Sequence, residues 1–419
     1  MSVKKFRNRR LLGTRRLISR EFEFDAKIDK QVERVTLGEY EWESYERVHE
    51  RVVAFGAGLM GSGHGRGEKL AMFAETRADW FIAMQGAFQH GLVVVTVYAS
   101  LGTDALVHSL NETEVATVVC DRKQFDKLAE VHSRLATVKR VIVMAEQMAD
   151  NETVSNEDPL PSTIGSITVL PYADVEAKGV ERPMESNLPQ SSDLAFIMYT
   201  SGSTGVPKGV MMTHGNLVAV FAAVMALVPD ADENDSYIAY LPLAHSLELT
   251  AELESAREDS FCSSFPSFLI CITPPPHTHP SPIPNRSSLA PDGHGIDREN
   301  HRVWLAPHSH RWGRQADGKG DLSALRPTLA FALLLLPIPL PSNQTGMVSI
   351  GATIGYGSPL TVIDGAGKLK PGGKGDLSAL RPTLMAAVPA ILDKIRDGVR
   401  RKVSEVVCGG EIWVCGEER

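Results

Sequence analysis

Leu194-Ala-Phe-Ile-Met-Tyr-Thr-Ser-Gly-Ser-Thr-Gly-Val-Pro-Lys-Gly209 is the stretch from which the rest of the chain is read. Leu194 to Tyr199 is a short apolar run of the length of a fully buried strand. It passes directly into a loop in which Gly202, Gly205 and Gly209 let backbone N–H groups approach an anion closely. Thr200, Ser201, Ser203 and Thr204 add hydroxyl donors, and Lys208 adds a positive point charge. Such a loop suits a polyphosphate. A Walker A loop needs Gly-Lys-Ser/Thr leading into a helix, whereas Lys208 here precedes Gly209 and a short apolar stretch, Val210 to Met212. Thr213 can then cap a helix whose Leu217, Val220, Phe221 and Val224 recur at helical spacing. The order is strand, loop, strand, helix.

Upstream, the same alternation holds from about Glu43 to Met144. Tyr45, Val48, Val52, Phe55 and Leu59 fall on one helical face, as do Trp80, Phe81, Met84 and Phe88. The runs Leu70–Ala74, Leu92–Val97, Val115–Cys120 and Val138–Met144 read as strands, with helices at Ala105–Leu110 and Lys123–Leu135 between them. Nearly continuous apolar strands alternating with helices predict an α/β fold with parallel sheets covered on both faces. Residues 145 to 190 are polar and read as a surface connection holding one strand, Ile167–Leu170. Residues 255 to 347 carry Pro274 to Pro276, Pro280, Pro282, Pro284 and scattered histidines, and no period survives there. No packed element is assigned to that segment, which is expected to be disordered. Regular patterning resumes at Ile350, and Pro389 opens a predicted helix with the stripe Leu392, Ile395, Val399 and Val403. Gly318–Leu329 recurs letter for letter as Gly373–Leu384; identity without a hydrophobic face of its own is unlike a solenoid repeat.

The chain has 419 residues with 43 Lys plus Arg against 51 Asp plus Glu, a net charge of −8, which argues against nucleic acid as a partner. Five scattered cysteines and no secretory signal point to a reducing, intracellular setting, and no Cys/His spacing suggests a metal site. No apolar stretch reaches the ~20 residues of a membrane span; Leu329–Leu336 stops at Pro337. The basic start (Lys4, Lys5, Arg7, Arg9, Arg10, Arg15, Arg16, Arg20) leaves three readings open: a transit peptide, a surface for anionic lipid, or a solvated end.

Thr200 to Gly209 resembles the phosphate-binding signature of the adenylate-forming superfamily. Six further blocks resemble long-chain fatty acyl-CoA synthetases, the plant and protist type in particular: Glu75–Phe81, Val95–Gly102, His108–Glu114, Tyr240–His245, Ile354–Leu360 and Arg381–Leu392. The resemblance covers about residues 11 to 254 and 348 to 405. It implies the large N-terminal domain of that superfamily, here incomplete, with parallel sheets flanked by helices. It also implies a ligase in which a long-chain fatty acid attacks ATP to give acyl-AMP, and CoA then displaces AMP; ATP, Mg²⁺ and CoA are the implied cofactors and co-substrates. By the same resemblance Thr200, Ser201, Gly202, Ser203, Thr204, Gly205 and Lys208 hold the phosphates. Lys208 and His245 are the catalytic candidates, with His245 beside the acyl and adenylate pocket. Trp80 and Phe81 are expected in the core. Peripheral membrane association at the endoplasmic reticulum or an organelle envelope is a further implication of the family.

The departures from the family pattern set the expected organisation: a first part of the large domain over 1–254, an irregular insertion over 255–347, a continuation over 348–405 and an unrelated tail over 406–419. The adenine-binding strand, the Mg²⁺-serving Glu, the ribose-binding Asp, the hinge and the small C-terminal domain find no match. The expectation is therefore a ligase fragment with little turnover as it stands. The alternative is a noncatalytic nucleotide-binding or interaction protein derived from the same family.

Overall fold

The computed structural model describes residues 2–25, 29–152, 159–200, 208–225, 231–252, 269–271, 296–297, 302–303, 351–365 and 367–386. The basic start belongs to the fold. After helix α1 (Ser2–Phe6), strand β1 (Arg10–Asp25) pairs antiparallel with β2 (Lys30–Ser44), from Arg10 opposite Ser44 to Asp25 opposite Lys30. Leu11, Leu12 and Leu17 face inward, and Arg15 is buried because its guanidinium donates to the carbonyls of Leu37, Gly38 and Lys374 and to Asp376. That pattern, basic residues interleaved with inward leucines, is a strand and not a solvated tail.

Helix α2 (Tyr45–Gly61) starts where the Ser44 side chain accepts the Arg47 N–H, and buries the stripe Tyr45, Val48, Val52, Phe55 and Leu59 that the sequence predicts. There follow β3 (Lys69–Phe73), α3 (Ala78–Gln89), β4 (Val93–Thr96), α4 (Thr103–Glu112), β5 (Thr117–Asp121), α5 (Arg122–Val131) and β6 (Arg140–Met144). The supposed surface connection carries β7 (Thr163–Ile164), β8 (Ile167–Pro171) and a helix that the sequence reading lacks, α6 (Tyr172–Glu181). Then come β9 (Leu194–Thr200), β10 (Lys208–Thr213) and α7 (His214–Met225). These strands form an eight-stranded sheet in the order β10-β9-β4-β3-β5-β6-β8-β7, parallel from β9 to β8 with antiparallel edges. One face, with Ala71, Phe73, Val95 and Val118, packs on α4 and α5; the other, with Leu70, Met72, Val94 and Phe196, meets α2 and α3. Both faces are covered, as near-continuous apolar strands require.

A second sheet lies on the far side of the α2–α3 layer. It contains β11 (Ser236–Ala239), β15 (Thr353–Tyr356) and β16 (Leu384–Ala386), with β12 (Leu269–Cys271), in the order β12-β16-β11-β15-β1-β2. β11 is followed by helix α8 (Ser246–Glu252), and β16 is preceded by α9 (Asp376–Leu380). Leu269–Cys271 falls inside the segment to which the sequence assigns no element, yet pairs antiparallel with β16, Leu269 opposite Ala386. A run that short carries no readable period. The parallel β11, β15 and β16 also show that 351–386 continues the fold begun before residue 252. In that second copy of the repeated stretch, Asp376 is buried and bound by Arg15, Thr361 and the Ser358 N–H. In a unit apart from these sheets, β13 (Ile296–Asp297) and β14 (Arg302–Val303) pair antiparallel. The predicted helix after Pro389 and the tail 406–419 lie outside the described residues.

Candidate active site at the carboxyl ends of the parallel strands

β9 ends at Thr200 and β10 begins at Lys208, and these two residues face each other across the ladder, with Tyr199 opposite Gly209. The chain therefore leaves and re-enters the sheet at one point. Ser201, Gly202, Ser203, Thr204 and Gly205 lie between them, outside the described residues. Lys208 is exposed and has no ion-pair partner among the described residues. The base of this hairpin is held from the side. Tyr199 donates its hydroxyl to Glu112 at 2.5 Å and to the carbonyl of Ser109 at 3.3 Å, both on α4. Burial, then the neighbouring Glu112 carboxylate, raises the phenol pKa.

The second candidate segment reaches the same edge. After β11, Tyr240-Leu-Pro-Leu-Ala-His245 runs across the ends of β3 and β4. Thr76, just beyond β3, donates to the carbonyl of Leu241 at 2.6 Å and accepts the N–H of Leu243 at 2.8 Å. Thr96, the last residue of β4, donates to the carbonyl of Ala244 at 3.4 Å. Thr96 is also the ladder partner of Met198, two residues before the loop begins. Hence the loop of β9 and the segment ending at His245 both meet the carboxyl ends of neighbouring parallel strands, where open α/β sheets place their ligands.

His245 caps α8. Its carbonyl accepts the Leu249 N–H at 3.1 Å, and its Nδ1 accepts the Leu247 N–H at 3.2 Å. An accepting Nδ1 leaves the proton of the neutral ring on Nε2, free to donate. The side chain is exposed, while the protein mass beside it holds the imidazole below the usual histidine pKa. Thr76, Thr96 and Tyr199 had no role in the sequence reading, although Thr76 and Thr96 lie inside quoted blocks. The signal for them is a polar residue closing an apolar strand. Trp80 and Phe81 are buried, as expected. Cys120 is buried, and desolvation drives its thiol pKa far up, which suits packing and not nucleophilic chemistry. Among the described residues no three His, Cys, Asp or Glu side chains stand together to hold a metal ion.

The model of the family described as AMP-binding enzyme matches residues 24–256. The chain belongs to the AMP-binding enzyme family. It is 39% identical to long chain acyl-CoA synthetase 8 of Arabidopsis thaliana over 96% of this chain and 42% of that protein. It is 28% identical to long-chain-fatty-acid–CoA ligase 1 of Schizosaccharomyces pombe over 60% of this chain and 38% of that one. The chain thus spans less than half the length of these curated relatives. Among solved structures, the A domain of carboxylic acid reductase from Segniliparus rugosus, in complex with AMP and a co-purified carboxylic acid, is 21% identical with a TM-score of 0.47, over 60% of this chain and 41% of that chain.

Proposed function

We propose that this chain is the nucleotide-binding part of a long-chain fatty acid–CoA ligase, which joins a fatty carboxylate to AMP and then passes the acyl group to CoA. The observation that carries the reading is the meeting of two segments at one sheet edge: the Thr200–Lys208 hairpin base and the His245 cap, tied together through Thr96 and Met198. In this reading Thr200, Ser201, Gly202, Ser203, Thr204 and Gly205 donate to the β- and γ-phosphates, and Lys208 faces the departing pyrophosphate. Donors already in place where negative charge develops lower the barrier without reorganisation. His245, with Nε2–H free, donates to the acyl or adenylate oxygens. Mg²⁺ arrives as the ATP chelate, consistent with its habit of being held by phosphates and few carboxylates, and no described residue is assigned to it. Peripheral attachment to a membrane belongs to the same proposal; no helix among the described residues is long and apolar enough to cross one.

Titration calorimetry of the 419-residue chain with MgATP tests the site. Binding is expected, and Lys208→Ala should weaken it about tenfold, the loss of one charge-assisted contact. Equal binding by the variant sinks the assignment of Lys208. ATP–pyrophosphate exchange in the presence of a long-chain fatty acid separates a ligase from a noncatalytic nucleotide binder, which binds MgATP without exchange.

A further inference from the structure

The helix that starts at His245 carries two carboxyl groups into the protein interior. Glu248 and Glu252, one turn apart on α8, are both 0% exposed. Oε2 of Glu248 accepts the hydroxyl of Tyr237 from β11 at 2.9 Å, and Oε2 of Glu252 accepts that of Tyr356 from β15 at 2.9 Å. β11 and β15 are adjacent parallel strands in which Tyr237 lies opposite Ile354 and Tyr356 opposite Ala239, so the two phenols are offset by two residues, as the two glutamates are offset by one turn of the helix. The remaining oxygen of each carboxyl, Oε1, is buried and meets no N–H or O–H donor among the described residues. The two carboxyl groups are, however, within hydrogen-bonding reach of each other.

Among the described residues no cation offsets this arrangement. The groups that face Glu248 are Glu252, Tyr237, Tyr240 and the backbone of Leu241, and those that face Glu252 are Tyr356 and Glu248. Asp79 on α3 acts on Tyr356 from behind, already paired with Arg51 and Arg77. β16, which also packs on α8, brings Leu384, Met385 and Ala386, none of them titratable. The sole titratable residue of α7 is His214, whose ring packs edge-on against Phe88. Two adjacent carboxylates in a dry site cannot both be ionised, for the same reason that paired acids elsewhere share one proton.

We propose that Glu248 and Glu252 hold one proton between them, and that this acid pair, clamped by Tyr237 and Tyr356, is the positioning element that fixes α8 and the imidazole of His245 at the strand ends. One proton on the pair turns two orphaned oxygens into a donor and an acceptor, which neither carboxyl can achieve alone. The bearing on His245 rests on the function proposed for that residue; the shared proton does not. Burial, with the second carboxyl beside it, raises the group that keeps the proton well above the ordinary carboxylate range. A raised carboxyl contributes stability that is complete below its unfolded pKa of 4.5 and is lost as pH rises towards its folded value. Over that window the unfolding constant should rise about tenfold per pH unit for one linked proton.

Infrared spectroscopy of the 419-residue chain reads the proton directly. A protonated-carboxyl stretch is expected at pH 7 and should disappear in both Glu248→Gln and Glu252→Gln, where the amide N–H replaces the shared proton. Glu252→Gln should also flatten the fall of the thermal midpoint between pH 5 and 8. For the positioning role, NMR titration of His245 should shift in Glu252→Ala and return in Glu252→Gln. Should the alanine variant fail to fold, the glutamine variants and the infrared band still decide. No protonated-carboxyl band at pH 7, or a band indifferent to both glutamine substitutions, overturns the proposal. A His245 titration unmoved by a folded Glu252→Ala overturns the positioning role. None of these readouts needs bound nucleotide, so a failure of MgATP binding speaks only against the site proposed for the phosphates.

Discussion

The hydroxyl of Tyr199, near the end of β9, donates to the carboxylate of Glu112 at 2.5 Å, so the base of the β9–β10 loop is tied to a helix on the outer face of the sheet. Tyr199→Phe removes the tie and keeps the ring. Glu112 is half exposed, so the loss of stability should be small, about 1 kcal/mol or less. The larger effect should fall on local order: hydrogen exchange at the Thr200 and Lys208 amides should quicken, while β3 and β5 stay protected. Unchanged exchange at the loop base would show that the ladder alone holds it.

Helices α2 and α6 touch through glycine. A Cβ on Gly58 would stand 1.9 Å from the carbonyl oxygen of Val175, and one on Gly179 would stand 1.7 Å from that of Ala54. The obstacle in each case is backbone, which cannot rotate away. Gly179→Ala should cost about 1–3 kcal/mol by overpacking, against the small gain that alanine ordinarily brings to a helix. Chemical denaturation checks this, and a stabilised variant would mean that the helices separate freely.

His64 sits between the end of α2 and β5, with Nδ1 at 2.7 Å from the carbonyl of Leu59 and Nε2 at 2.7 Å from the Thr117 hydroxyl. Burial, with Arg140 nearby, holds its pKa below the ordinary 6.5. The folded chain therefore keeps the ring neutral while the unfolded chain takes up a proton more readily. Stability is complete above about 6.5 and is lost as pH falls through the folded value. Across that interval His64→Gln should show a shallower acid loss of thermal midpoint than the parent chain; identical slopes would exclude His64 as a contributor.

Much of this was legible in the residues. Continuous apolar runs such as Leu70–Ala74 and Val138–Met144 announce buried parallel strands, and the stripe from Tyr45 to Leu59 announces α2, because each carries a complete period. Helix α6 was missed since its inward side consists of Tyr172, Val175 and Gly179, and a glycine chosen for close approach leaves no hydrophobic mark. α8 was missed for the opposite reason: Glu248 and Glu252 interrupt its apolar side, and only the sheet that brings Tyr237 and Tyr356 to them makes those positions part of the interior. At the site, the chemistry of Lys208 and the glycine loop stands in the local sequence. The coincidence of that loop with His245 does not, because it depends on Thr76 and Thr96 at the ends of strands far away in the chain.

The six-stranded sheet has a consequence for the order in which the protein can be made. Its strand β1, made well before β15, lies between β2 and β15, and β16 contributes the last described strand, ending at Ala386. The eight-stranded sheet is complete once Thr213 has left the ribosome. At about 5–20 residues per second, the interval between the two is roughly 10–35 s. Throughout it the β1–β2 hairpin has an open edge, with Leu12 and Gly13 waiting for Ile354 and Gly355. An unpaired strand edge of that kind invites association with other chains. The newborn protein is therefore most exposed to association with other chains after its eight-stranded sheet is already in place.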